Sequence, residues 1–490
     1  MYSVYYILSH IPYFFTILFI VNMIIAFTII FLERKNPSAT LAWIMILFLL
    51  PVVGILFYFL FSQNLSRKKI FKLTKFEEEV ISSSLQTQIA EMKNGSYVFT
   101  TEAAKNWKDM IRLNQVYGRA FFTEDNKISI ITDGHHMLDK LLEDIANARN
   151  TINIQYFIIK NDLIGRKFIE ALTEKAKQGV EVRLLIDAMG GRQLSKRTAC
   201  IRELMEAGGQ VAFFFPPNFK FLNMKLNYRN HRKIVVIDGE IGYIGGFNIG
   251  KEYLGMKKKF GYWRDTHLRV LGGCVQDINA RFLMDWRFAS KEELVLSEAY
   301  YSTIIKAGCT GVQIVSSGPD EGKSQVKRGY MKMITSARKN IYIQTPYFVP
   351  DNSILESLKM AAQSGVDVKL MIPCMPDHMF VYWATYAYAG ELINSGARVF
   401  IYDKGFLHAK TMVVDGQVAS IGSANFDVRS FKLNFEANAF LFDEEEAYKM
   451  EAIFETDMAN CHELTKSVYR SRGIPIKFKE SIARLLTDLL

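Results

Sequence analysis

His231-Arg-Lys-Ile-Val-Val-Ile-Asp-Gly-Glu-Ile-Gly-Tyr-Ile-Gly-Gly-Phe-Asn248 and His408-Ala-Lys-Thr-Met-Val-Val-Asp-Gly-Gln-Val-Ala-Ser-Ile-Gly-Ser-Ala-Asn425 are one polar pattern written twice, at a constant offset of 177 residues. A lone H-x-K carries no signal. Two copies that also match in Asp238/Asp415, in a small-residue pair and in Asn248/Asn425 mark a duplicated functional unit. Lys233-Ile-Val-Val-Ile and Lys410-Thr-Met-Val-Val read as strands, each followed by Asp-Gly, a preferred two-residue hairpin turn. Strand side chains alternate, so His231 and Lys233 share a face while Arg232 points away, and His408 and Lys410 share a face likewise. A two-residue loop sets His231 opposite Gly246 and His408 opposite Ser423, where small residues would let a phosphate approach the imidazole, with Asn248 or Asn425 as donor. Asp238 lies roughly 16 Å along the strand from Lys233 and is read, like Asp415, as setting the turn.

The duplication extends upstream. Ala148–Phe157 resembles Ala337–Phe348, and Gly179–Ile186 resembles Gly365–Ile372, with helical patterns at Ile164–Lys177 and Ile354–Ser364 between them. Strand, helix and strand in each half predict an α/β fold built as two copies of one domain, each a sheet with helical cover. Neither half alone holds two imidazoles, so one site is expected where the copies meet.

A phosphodiester gains negative charge as a nucleophile adds. Two lysines and two asparagines would stabilise it, one neutral imidazole would attack phosphorus, and the other, protonated, would donate its proton to the leaving alkoxide. Each imidazole needs a carboxylate to fix its tautomer, and Asp265 and Glu436 are the candidates. No carboxylate or histidine cluster has metal-ligand spacing, and neither metal nor cofactor is expected. His10, His267, His378 and His462 are isolated and receive no role.

The chain has 490 residues, a net charge of +10 and five scattered cysteines. That composition excludes disordered, collagenous and disulfide-framework classes and favours an anionic partner. The uncharged runs Ile11–Leu32 and Leu41–Phe61, broken by Glu33-Arg34-Lys35, predict a two-helix membrane hairpin. Arg67, Lys68, Lys69, Lys72 and Lys75 follow it, placing the C-terminal part in the cytoplasm. Lys257–Lys259 and the stretch Lys220–Lys233 are further candidates for anionic headgroups. The expected organisation is a membrane anchor over 1–66, a basic helical linker over 67–120, domains over 121–300 and 301–475, and an amphipathic helix over 476–490.

At the H-x-K-x4-D residues His231, Lys233, Asp238, His408, Lys410 and Asp415 the chain resembles the phospholipase D superfamily. It resembles more closely the bacterial cardiolipin synthases of the two-span type, through Asn36–Trp43, Tyr347–Asp351, Gly405–His408, Asp285-Trp286 and Arg429–Glu436. That resemblance implies two phospholipase D-like α/β sandwich domains sharing one active site, with the six motif residues catalytic as a set. The implied reaction converts two phosphatidylglycerols to cardiolipin and glycerol in the cell membrane, with no nucleic acid partner. It assigns His231 as nucleophile and His408 as general acid, with Asp265 and Glu436 orienting them; the residues alone do not rank the histidines. A hydrolase or a transferase to another alcohol would keep the same residues; a nuclease or a lipid-binding scaffold fits the spans or the paired histidines less well.

Overall fold

In the computed structural model the described residues are 2–30, 37–50, 52, 54–55, 58, 70–71, 73–216, 227–292 and 306–487. The hairpin loop Glu33–Lys35, the end of the second apolar run, Arg67–Lys69, Lys72, residues 217–226 and residues 488–490 lie outside them.

Apolar, Val/Ile-rich strands form in each half because each repeats short β-branched runs punctuated by Gly and Asp turns. The first lobe orders its strands Gln210–Phe214, Glu181–Asp187, Thr151–Tyr156, Ile234–Ile237, Ile241–Gly245, His267–Leu271 and Phe122–Ile131. The second continues through Thr310–Ser317, Asn434–Phe442, Val418–Gly422, Thr411–Val414, Asn340–Gln344, Asp367–Pro373, Arg398–Tyr402 and Cys461–Glu463. Phe122–Ile131 pairs antiparallel with both His267–Leu271 and Thr310–Ser317, joining the lobes into one sheet. The repeat is therefore a palindrome of strand order about that junction. Helices Leu163–Lys177 and Asn352–Gln363 fall where the sequence places them.

Three cores hold the fold. One lies under the outer helices of each lobe, and a shared central core packs the inner faces of both halves of the sheet around helices Cys274–Ser290 and Glu444–Met458. The stretch expected as a linker is built in. Trp107, Met110 and Ile111 belong to the second lobe's core, and Asn114 Nδ2 donates to Gln313 Oε1 at 3.0 Å.

The hairpin register differs from expectation by one residue. Ile237 pairs with Ile241, and Val414 with Val418, so each loop has three residues. The Asp-Gly turn forms, with Asp238 and Gly239 at φ 54° and 68° and Asp415 and Gly416 at 56° and 62°. Asp238, however, is held by the neighbouring strand: its amide donates to the Thr151 carbonyl and its carboxylate accepts from the amides of Arg149, Asn150 and Thr151. Asp415 does the same with Arg338, Lys339 and Asn340. Each aspartate is thus drawn out of its ladder, and His231 does not face Gly246, nor His408 Ser423.

At the N-terminus, helices Tyr2–Thr28 and Pro37–Leu49 are joined by Asn22 Nδ2 donating to the Leu47 carbonyl at 3.0 Å and by contacts of Ile29, Trp43, Leu47 and Tyr58. Among the described residues no helix is long and apolar enough to cross a membrane. The C-terminal helix Ile474–Thr487 packs on helix Met379–Asn394 through buried Ala483 and a Tyr388–Thr487 hydroxyl contact of 3.2 Å. Its opposite stripe is bare: Ile474, Phe478, Ile482 and Leu485 are 83%, 65%, 41% and 73% exposed.

Candidate active site

Each motif histidine sits just before its own hairpin and is clamped to the other lobe. Arg229–Asn230 runs parallel to Asn434–Phe435, and the His231 amide donates to the Phe435 carbonyl at 2.9 Å. In the second half Gly405–Leu407 pairs with Tyr262–Arg264, and the His408 amide donates to the Arg264 carbonyl at 2.7 Å. The imidazoles follow their backbones across the boundary. His231 Nδ1 lies 3.0 Å from Glu436 Oε2 and 3.1 Å from the Ser423 carbonyl; both are acceptors, so Nδ1 carries the proton. His408 Nδ1 lies 2.5 Å from Asp265 Oδ2. Both carboxylates come from the opposite lobe, a crossing absent from the linear order of motifs. Nε2 is the nitrogen left for chemistry on each ring.

The small residues serve these carboxylates. A Cβ at Gly246 would overlap the Asp265 carboxylate, whereas Ser423 Oγ donates to Glu436 Oε2 at 2.5 Å. Lys233 Nζ donates to the His231 carbonyl at 2.6 Å, and Lys410 Nζ to that of His408. Lys410 Nζ also lies 2.7 Å from His408 Nδ1. Asn248 Oδ1 accepts from the Ile158 amide at 3.1 Å, and Asn425 Nδ2 donates to Asp427 Oδ2 at 3.1 Å. Asp238 and Asp415 stand away from the histidines of their motifs, their oxygens taken by the strand-start amides, as the turn-setting reading of the sequence expects.

One group was not anticipated. Arg232, expected to point away from its histidine, is buried: it pairs with Asp285 at 2.7 Å and donates Nε to the Glu436 carbonyl at 3.1 Å. The second motif has Ala409 at that position, and Arg264 of the first lobe substitutes, pairing with Asp457 at 2.8 Å. Gln155 and Gln344 brace Asp285 and Asp457, each at 2.7–2.8 Å. The repeated Ile-Gln of the two halves was the available signal.

His231, His408, Asn248 and Asn425 line one cavity of about 610 Å³, with an apolar wall that includes Phe157, Phe260, Trp263, Val349, Phe380 and Val381. Burial lowers the His231 pKa, with Glu436 opposing, and brings His408 to about 4, with the Lys410 charge adding to the effect. Burial also pushes Lys233 down to about 7 and Lys410 to about 8, against the pull of Glu436 and Asp265. Burial would raise the two carboxylates, but Lys410 and His408 hold Asp265 low, and His231 and Lys233 hold Glu436 low. Four bases that release protons readily in an anion-free site will regain them when a phosphate lies between them. Inorganic phosphate binding near pH 7.5, between the Lys233 value of about 7 and the ordinary lysine value of 10.5, should therefore take up protons. Calorimetry in buffers of different ionisation enthalpy measures this; release, or no exchange, would contradict the electrostatics.

A duplicated α/β fold in which each half gives one histidine to a common cleft, with a buried lysine on the carbonyl of that histidine, defines a phospholipase D-like protein. The family described as cardiolipin synthase, PLD-like domain, matches residues 141–286 and 330–458, and the phospholipase D-nuclease N-terminal family matches residues 20–63. The cardiolipin synthase of Oceanobacillus iheyensis is 48% identical over 96% of this chain and 98% of its own length. The major cardiolipin synthase of Bacillus subtilis is 47% identical over 97% and 98%. The chain belongs to the cardiolipin synthase family of phospholipase D-like proteins. Among solved structures, the phosphatidylserine synthase of Haemophilus influenzae shares the fold, with a TM-score of 0.59 at 14% identity, covering 78% of this chain and 98% of that one.

Proposed function

We propose that the chain is a phosphatidyltransferase that joins two phosphatidylglycerols into cardiolipin, releasing glycerol, through a covalent phosphatidyl-histidine. The observation that carries this reading is the pair of imidazoles on one cavity, each fixed by a carboxylate of the opposite lobe. His231 Nε2 attacks phosphorus, the P–N bond forms, and the P–O bond to the donor's headgroup glycerol breaks as His408 Nε2–H protonates it. A hydroxyl of the second phosphatidylglycerol then gives its proton to His408 while its oxygen attacks phosphorus and the P–N bond breaks. Lys233 and Lys410 stabilise the added charge. The apolar wall of the cavity suits acyl chains.

The protein is assigned to the cell membrane with two spans, the catalytic lobes being cytoplasmic. Supporting this are the uncharged N-terminal runs, whose Ile17, Ile24, Phe27, Leu41 and Leu49 side chains are exposed, and the match over residues 20–63. The bare stripe Ile474–Leu485, flanked by Lys477, Lys479 and Arg484, belongs on the bilayer surface, because Thr487 at its end lines the catalytic cavity. Replacing Phe478 and Leu485 by serine should lower activity on phosphatidylglycerol vesicles by about tenfold, with activity on monomeric short-chain lipid unchanged. An equal effect on both substrates would remove the helix from the interface.

Purified full-length protein given only phosphatidylglycerol vesicles should release cardiolipin and glycerol in equal amounts. Phosphatidate in place of cardiolipin would make it a hydrolase.

A further inference from the structure

Helix Ile474–Thr487 carries more than its bare apolar stripe. A second cavity, of about 540 Å³, opens beside its first turn and shares no lining residue with the catalytic cleft. Asn394, Lys466, Tyr469, Arg470, Arg472 and Lys477 line it, so four of its six lining residues are cations. A cavity of this volume is the size of a small-molecule site. Lys477 stands ten residues before Thr487, about 15 Å along the helix axis, so the two cavities border opposite ends of one helix.

The local chain holds these charges in place. Thr465 Oγ1 accepts from the Val468 amide and starts the short helix Lys466–Arg470, in which Lys466 and Arg470 fall one turn apart on one face. Tyr469 is seated on Gly390 of helix Met379–Asn394: a Cβ there would overlap its ring, and its hydroxyl donates to the Ala387 carbonyl at 3.4 Å. Arg472 stacks over the Tyr469 ring and donates to the Tyr469 carbonyl. Two carboxylates act on this group, and each has a cation of its own. Glu480 pairs with Arg472 at 2.9 Å, and Glu391 pairs with Arg484. Lys477 acts on Glu480 only from beyond ion-pair distance. Among the described residues no carboxylate pairs with Lys466, Arg470 or Lys477.

A separate observation concerns a donor. Arg472 Nε is buried without an acceptor among the described residues, its Nη groups being taken by the Tyr469 carbonyl and Glu480. A buried N–H of this kind costs free energy until an acceptor arrives. Guanidinium and ammonium groups gathered around one cavity match the oxygens of a phosphate. The rim decides where that phosphate comes from. Val468, between Lys466 and Arg470, is 52% exposed, and Ile474 and Phe478 begin the bare stripe of the next helix. A soluble anion gains nothing from an apolar rim, whereas acyl chains do.

We propose that this cavity is a second, non-catalytic lipid site, in which Lys466, Arg470, Arg472 and Lys477 hold the phosphate of one anionic phospholipid while its acyl chains lie along Val468, Ile474 and Phe478. The proposal rests on the placement of helix Ile474–Thr487 on the bilayer and adds what that placement recognises: one headgroup in a defined site, not the averaged attraction of a charged surface. A lipid held there anchors the helix at its first turn, while its last turn borders the catalytic cleft.

The test uses full-length protein reconstituted in phosphatidylcholine vesicles carrying one of two photoreactive lipids, labelled at the same acyl position. One is a phosphatidate, which has no headgroup alcohol to transfer; the other is a phosphatidylcholine. After irradiation, peptide mapping should find phosphatidate on residues 466–478 in about tenfold excess over phosphatidylcholine. This comparison is made on the unmodified protein and needs no variant to fold. Lys466→Gln combined with Arg470→Gln should remove most of the excess. Lys196→Gln combined with Arg197→Gln, which takes the same charge from the exposed surface of the first lobe, should leave it intact. Equal labelling by the two lipids, or an equal loss in the two double variants, overturns the site and leaves the helix on the bilayer. Labelling of these residues by neither lipid overturns the placement of the helix as well.

Discussion

His231→Ala should abolish formation of the covalent intermediate with any leaving group, whereas His408→Ala should abolish it only when the leaving group needs a proton. With phosphatidylglycerol both variants fall to background. A phosphatidyl ester of p-nitrophenol separates them, because p-nitrophenolate departs without protonation. On that substrate His408→Ala should release about one equivalent of p-nitrophenolate per site and then stall, with the phosphatidyl group on His231. The stall follows because the same histidine must take the proton from the incoming hydroxyl. Loss of general acid–base help is worth about 10²–10⁴-fold in each direction, while loss of the nucleophile removes the path altogether. Mass spectrometry of the stalled protein locates the label. A phosphatidyl group on His408 in His231→Ala, with no burst from His408→Ala, would exchange the two roles. The Nδ1 contacts leave Nε2 as the reactive nitrogen in both cases, so the experiment tests the assignment and not the geometry.

The duplicated α/β units and the two His-Lys pairs were legible because strand alternation and a repeated hydrophobic pattern are local properties of the chain, whereas the joining of the halves into one palindromic sheet depends on edge strands that pair across the lobes. The register was missed by one residue because Asp238 and Asp415 are claimed by strands far away in sequence, which no reading of a single hairpin contains. Asp265 and Glu436 could be named as carboxylates, since an imidazole needs one; which histidine each serves depends on the lobe packing. Gly246 and Ser423 were recognisable as small, and their reason is the adjacent carboxylate, not an approaching phosphate. Arg232 was set aside because alternation turns it away from His231. That direction leads into the boundary between the lobes, where a guanidinium bonded to Asp285 and the Glu436 carbonyl fixes the backbone of the carboxylate opposite. The exchange of Arg232 for Arg264 across Ala409 shows that the duplicated halves have diverged in which lobe supplies the cation while keeping the contact.

Glu436→Gln and Asp265→Asn should each lower turnover by about 10³–10⁴-fold, and the pattern of loss should cross the lobes. An amide of the same size preserves packing but no longer selects the Nδ1–H tautomer or supports a positive imidazole, the loss known from carboxylate-to-amide changes behind catalytic histidines. Asp265 touches His408, so Asp265→Asn should behave as a weaker His408→Ala: impaired on phosphatidylglycerol, yet forming intermediate readily from the p-nitrophenyl ester. Glu436 touches His231, so Glu436→Gln should slow the first chemical step with either leaving group. Same-lobe service would reverse both outcomes. Double variants sharpen the distinction, because residues acting as a unit are non-additive. Adding Asp265→Asn to His408→Ala should cost little more than His408→Ala alone when the p-nitrophenol burst is measured. Adding Glu436→Gln to the same background should slow that burst by most of its single-variant effect. If Glu436→Gln instead leaves the burst of His408→Ala untouched, the carboxylate does not act through His231, and the crossed arrangement is structural without being catalytic.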